Sequence, residues 1–304
     1  METSVNQAGQ RASWTMWAIL SVGVVAVSVS AILIRYASVD GDGDASPLAI
    51  SFWRCALGAL ALFPFARWKR RGTSPTTIKF SLIAGAFLAI HFASFITSVG
   101  LTSVASSVLL VSTTPVFTAL VGWLAFKDRL ELLGWIGIAL TLVGVGLIGG
   151  GGFGGGSGLG NLLALIGGAT AGGYLLAGAR ARRTLGIAEY AVITYTAAGV
   201  LLLAVCLLGA IPLWGYGAQT WWAIAGSVIG PQLLGHTLIN ATLSDIDTTT
   251  VAVTIMAEPI IATVLAFFIF SESPSLLVYP GGALILVGIY LVTTVSKQPG
   301  VPLE

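Results

Sequence analysis

Charge is what this sequence has least of. Only 9% of its 304 residues are Asp, Glu, Lys or Arg, against about 25% in soluble domains, and a water-facing surface cannot be built from so few. Reactive and metal-binding side chains are nearly as scarce. Cys55 and Cys206 fall in apolar stretches and read as small core residues. His91 and His236 are the two histidines, with no acidic or cysteine neighbour at ligand spacing, so no metal centre is expected. The run Gly149 to Gly158 holds no Gly-Lys-Ser/Thr, which excludes a phosphate-binding loop and ATP hydrolysis. Asp40 to Asp44 opens like a calcium loop, but Ala45 and Ser51 stand where the turn glycine and the bidentate Glu belong. A net charge of +2 in short basic clusters leaves no face for nucleic acid. No nucleophile is paired with a base as an enzyme requires, and no cofactor is expected.

What fills the chain is apolar sequence, 56% hydrophobic with a mean hydropathy of +0.94. Runs near the roughly 20 residues that cross a bilayer recur throughout, so lipid has to be the solvent. They predict an all-α polytopic membrane protein with ten spans, near 14–35, 47–66, 77–98, 102–125, 131–149, 160–180, 188–209, 218–240, 247–270 and 275–295. The first run passes Ala31 without a small-residue cleavage site, which fits a retained helix rather than a signal peptide. With the N-terminus inside, 12 of the 14 Lys and Arg residues fall on the inner side, leaving Arg35 and Arg54. The positive-inside rule then places both termini in the cytoplasm.

The sequence also repeats itself. Shifted by 144 residues without a gap, positions 115 to 147 match at 11 of 33, including Pro115 on Pro259, Phe126 on Phe270 and Leu142-Val143-Gly144 on Leu286-Val287-Gly288. Composition alone would give roughly three such matches, which points to a duplication. One further residue of shift pairs His91 with His236 and Arg35 with Arg180. The halves are therefore 14–149 and 160–296, joined by a glycine-rich linker at 150–159. Five spans per half is odd, so the second half is expected to be inverted relative to the first, the arrangement many secondary transporters use for alternating access.

The duplication, the Phe52-Trp53-Arg54 triplet, the Pro115 and Pro259 helices that end at Asp128 and Glu272, and the Gly134 and Leu-Val-Gly helices after them resemble the EamA branch of the drug/metabolite transporter superfamily. The resemblance runs from Trp14 to about Ser296, and Asp128 departs from it where Glu is usual. It implies a ten-helix metabolite exporter of a bacterial inner membrane. Within the branch the chain is most similar to YddG-type amino-acid exporters, whose substrates include aromatic and other neutral amino acids. A multidrug or nucleotide-sugar carrier of the same superfamily is the alternative. An intramembrane enzyme and a non-transporting scaffold are the readings from outside it.

Polar groups inside a membrane are costly and mark either function or a structural pair. Glu258, before Pro259, shares a helical face with Thr254 and Thr250. It either meets a substrate ammonium or a proton, or pairs with Arg54 or backbone groups freed by the proline. Gln232, His236 and Asn240 form one polar stripe, and His91 with Ser94 and Ser98 another. They line vestibules or tie helices together. Arg54 holds a substrate carboxylate, or pairs with an acid or a lipid headgroup. Thr113 and Tyr174 complete the candidate pathway between the halves. Pro115 and Pro259 are expected to be hinges or static kinks.

Overall fold

A backbone in lipid finds no water to bond, so each apolar run satisfies its N–H and C=O groups within itself as a helix. The computed structural model describes residues 14–38, 45–66, 74–126, 131–150, 156–182, 184–242, 251 and 254–295, and within them every regular element is helical. In chain order these are α1 (Trp14–Ser28), α2 (Ser30–Ser38), α3 (Pro47–Leu62), α4 (Pro75–Leu101), α5 (Val104–Val111), α6 (Thr114–Phe126) and α7 (Leu132–Gly150). Then come α8 (Gly156–Ala181), α9 (Ile187–Leu208), α10 (Ala218–Ser227), a π-helical stretch (Val228–His236), α11 (Thr237–Thr242), α12 (Ala257–Phe270) and α13 (Val278–Val295). Among the described residues six helical runs are long and apolar enough to cross a membrane, and Leu132–Ile148, Ala257–Phe270 and Val278–Thr294 are shorter apolar helices. Their outer faces carry Leu60, Phe63, Val200, Leu208 and Phe268, all well exposed. Such a surface suits acyl chains and not water.

Local chemistry sets the starts and stops. Pro47 and Pro75 open α3 and α4, where a missing N–H costs nothing. Ser103 caps α5 by accepting from the Ser106 N–H at 3.0 Å. Expected spans that read as single runs are interrupted. The first is cut at Val29, between α1 and α2. The fourth is cut at Ser112 and Thr113, just before Pro115. Pro115 has no N–H for the Val111 carbonyl, and the Thr114 hydroxyl donates to that carbonyl instead at 2.9 Å. In the ninth span a turn at Met256 precedes α12, three residues before Pro259. The eighth keeps its helix but loosens to π geometry around Pro231.

The most extensive pairings are α4 with α8, α7 with α13, and α3 with α9. The α7–α13 contact depends on small residues: a Cβ on Gly137 would lie 2.6 Å from the Gly288 carbonyl oxygen. The core divides at the helix breaks. Leu20, Val24 and Val27 of α1 bury against Ile239 and Val251, whereas Ala31, Ile32 and Ile34 of α2 bury in a cluster with Val104, Val108, Ala262 and Ala266.

Candidate functional site

The polar interior is built where α3, α4, α8, α9 and the π-helical stretch meet. Arg54 stands eight residues along α3, 2% exposed, roughly 10 Å below the helix start at 1.5 Å per residue. Its Nη1 reaches the Ser30 hydroxyl at a long 3.4 Å, its guanidinium carbon lies 4.5 Å from the centre of the Phe92 ring, and its Nε has no hydrogen-bond partner. Among the described residues no carboxylate pairs with it. Ionised groups taken out of water without a counterion cost several kcal/mol, so the site is incomplete in the electrostatic sense.

Around Arg54 the other groups are engaged to different degrees. Gln232 is almost fully buried and donates from Nε2 to the Arg54 carbonyl at 3.1 Å, while its own Oε1 finds no donor. Gly58 makes that contact possible, because a Cβ there would collide with Gln232 Nε2. Tyr195 of α9 is buried and within electrostatic range of Arg54. His91 Nδ1 lies 2.9 Å from the Gly167 carbonyl of α8. A carbonyl only accepts, so Nδ1 carries the hydrogen, and the neutral ring keeps Nε2 as an acceptor. His236 is exposed and lies within electrostatic range of Arg54.

The node beneath His91 is tight. Thr114 Oγ1 donates to the Gly168 carbonyl at 3.0 Å, and a Cβ on Gly168 would lie 2.9 Å from the Val111 carbonyl oxygen. The break between α5 and α6 thus docks directly on α8. Thr113 is buried there and returns its hydroxyl to Leu110 O at 2.6 Å. Two turns further along α8, Tyr174 stacks on Tyr190 with ring centroids 6.5 Å apart.

Several expected placements differ. Thr254 and Glu258 flank the turn at Met256, so they do not continue one helical face, and Thr250 lies outside the described residues. Glu258 is half-buried in the first turn of α12 and, among the described residues, makes neither an ion pair with Arg54 nor any hydrogen bond. The π geometry widens the turn, so Gln232 is enclosed while His236 faces open space, and the stripe is not uniform. Asn240 is helical in α11. Ser94 is buried on α4, and Ser98 is spent on Ser107 of α5. Pro115 and Pro259 both sit at the breaks, as their sequence suggested. Asp128 lies outside the described residues. Ser30, Gly58, Phe92 and Tyr195 surround Arg54 without having been singled out. Small, apolar or single-hydroxyl residues in an apolar sequence give no signal of their own. A separate concavity of about 320 Å³ between α3 and α9, lined by Phe52, Leu60, Phe63 and Val200 among others, is apolar and faces the lipid side.

The chain matches the EamA-like transporter family twice, over residues 12–150 and 158–294. It is 24% identical over 276 residues to an "Uncharacterized transporter" of Archaeoglobus fulgidus, covering 85% of this chain and 91% of that protein. A protein described only as "Crystal structure of protein" shares the fold with a TM-score of 0.61 at 18% identity, over 93% of this chain and 99% of that one. Apolar helices at membrane length, a buried polar interior and a double match over most of the sequence place this chain in the EamA-like transporter family, as a multi-pass membrane transporter.

Proposed function

We propose that this transporter is a secondary exporter of small metabolites in a bacterial inner membrane, with amino acids, aromatic and other neutral ones, as its cargo. Arg54 carries the reading: a buried guanidinium with no acidic partner among the described residues needs an anion, and an α-carboxylate supplies one in bidentate geometry. His91 Nε2 and the exposed His236 ring offer further polar contacts beside it. The stacked Tyr174 and Tyr190 present faces to an apolar or aromatic side chain. Glu258 is the group for an ammonium or a proton, and Ser94, Thr113, Gln232, Asn240 and Thr254 complete the polar lining.

Alternating access between two inverted five-helix halves, 14–149 and 160–296 about the 150–159 linker, fits this reading. The double family match supports it, as do equivalent pairings: α4 packs on α8 as the π-helical stretch packs on α1. Pro115 and Pro259, at matched breaks, are the hinges. The basic clusters face the cytoplasm, with both termini.

Glu258 favours a second reading, a multidrug carrier of the same superfamily, because a half-buried acid and aromatic rings suit a cation. A phosphate on Arg54 would instead mark a nucleotide-sugar carrier. Counterflow in proteoliposomes, with and without a pH gradient, separates them. Labelled neutral amino acids should exchange in the wild type and not in Arg54→Gln. Exchange of cations or nucleotide sugars, with no amino acid moving, refutes the proposal.

A further inference from the structure

Glu272 ties together three pieces of chain that are far apart in sequence. α12 stops at Ser271, whose left-handed backbone (φ 52°, ψ 29°) turns the chain, with the Glu272 N–H bonded back to the Ala266 carbonyl at 3.4 Å. That turn lays the Glu272 carboxylate across the ends of two other helices. Oε2 accepts from Arg35 Nη1 at the end of α2, and Oε1 accepts from the N–H of Val104, the first residue of α5, at 2.8 Å. Arg35 also covers the Phe270 ring at 4.8 Å, and Phe270 packs on Tyr36. An acid at the positive end of α5 is favoured by the helix dipole as well as by the ion pair.

All three joined pieces are parts of interrupted spans. α2 is cut from α1 at Val29, α5 from α6 at Ser112 and Thr113, and α12 begins after the turn at Met256. Their side chains bury with one another, Ile34 with Val104, Val108, Ala262 and Ala266, and not with the α1 cluster of Leu20, Val24 and Val27. The three ends lie on the side opposite Lys79 and Arg180, which mark the start of α4 and the end of α8.

We propose that Glu272 is the bolt of a gate on that side of the membrane. While its carboxylate holds Arg35 and the Val104 amide, α2, α5 and α12 form one closed unit. When it lets go, they swing about their three breaks and open the interior toward Arg54. The inference rests on the transporter reading, since a static scaffold needs no gate.

The test uses full-length protein in a Cys55→Ala, Cys206→Ala background. With Arg35→Cys and Glu272→Cys, a reducible bis-methanethiosulfonate linker should join the two ends and stop transport at least tenfold, with recovery on reduction. Linked protein that transports at the unlinked rate overturns the proposal, and so does a failure of the linker to bridge the pair. A second readout needs no substrate. With Ser30→Cys as the reporter, Glu272→Gln should speed labelling by a membrane-impermeant thiol reagent, added from the Glu272 side, at least fivefold. An unchanged labelling rate overturns the gate. A wild type that moves nothing in the solute panel would refute the transport reading while leaving the labelling result to decide the gate.

Discussion

Arg35 and Arg54 both lie inside the helices of the first half, and the structure treats them in opposite ways. Arg35, at a helix end, has the Glu272 carboxylate on one side and the Phe270 ring on the other. Arg54, deeper in its helix and more buried, has one distant hydroxyl and the face of Phe92. The shallower charge is given its counterion by the chain itself. On the proposed reading a ligand completes the electrostatics of the deeper charge, because removing an ion from water is tolerated only when something else replaces the hydration.

The contrast can be broken most severely at Arg54 itself. Arg54→Leu should cut amino-acid counterflow by roughly 10- to 100-fold, the value of about 1.5–3 kcal/mol for hydrogen bonds to a charged group. The unfolding midpoint in detergent should hold or rise, since an uncompensated charge is replaced by an apolar side chain. A collapse of the midpoint would make Arg54 structural and end the contrast. Arg54→Lys should lose most of the activity too, because a point charge cannot reproduce the planar fork.

Next in size is giving Arg54 the partner that Arg35 already has. Ser30→Asp puts a carboxylate where the hydroxyl lies 3.4 Å from Nη1. The midpoint should rise while transport falls about tenfold, as the new acid competes with the substrate's carboxylate. A Ser30→Asp protein with unchanged apparent affinity would show that no anion binds at Arg54.

Glu258→Gln tests a second ionisable group within the helices, one that makes no ion pair among the described residues. It keeps the shape and removes the ionisable group, and transport should fall several-fold with little change in midpoint. Equal uptake at every pH would remove Glu258 from the mechanism. The smallest effect concerns the node that holds His91 beside Arg54. Gly168→Ala forces a Cβ to 2.9 Å from the Val111 carbonyl and should cost about 1–3 kcal/mol of stability. Gly146→Ala meets nothing within 4 Å and should stay within about 1 kcal/mol. Equal thermal shifts for the two would show that the contact between α8 and the α5–α6 break is not tight.

Much of the fold could be read from the sequence, because hydropathy sums residue by residue. The breaks before Pro115 and Pro259 were likewise visible, since a proline's missing N–H acts on its own helix. The break at Val29 has no proline to announce it. Ser28 returns its hydroxyl to the Val24 carbonyl at 2.7 Å just before it, a local bond too common in apolar helices to predict an interruption. The two proline breaks also proved chemically different. Thr114 has a hydrogen to give to Val111 O and Gly168 O, whereas Glu258, at the matched position, has none when ionised. The duplicated alignment showed that the residues differ, and the backbone showed what the threonine does with the difference.

By itself, then, the sequence determined that this chain lives in lipid, that it is helical, and that a charged residue within a helix needs a reason. Each of these follows from the transfer free energy of a segment or from the bonding needs of its own backbone. Which arginine receives an acid was decided only by tertiary structure. Glu272 reaches Arg35 across 237 positions, after a left-handed turn at Ser271, and nothing comparable reaches Arg54 among the described residues. Pairing over that range depends on how helices pack against one another, and packing is a property of the whole assembly that no single stretch of sequence encodes.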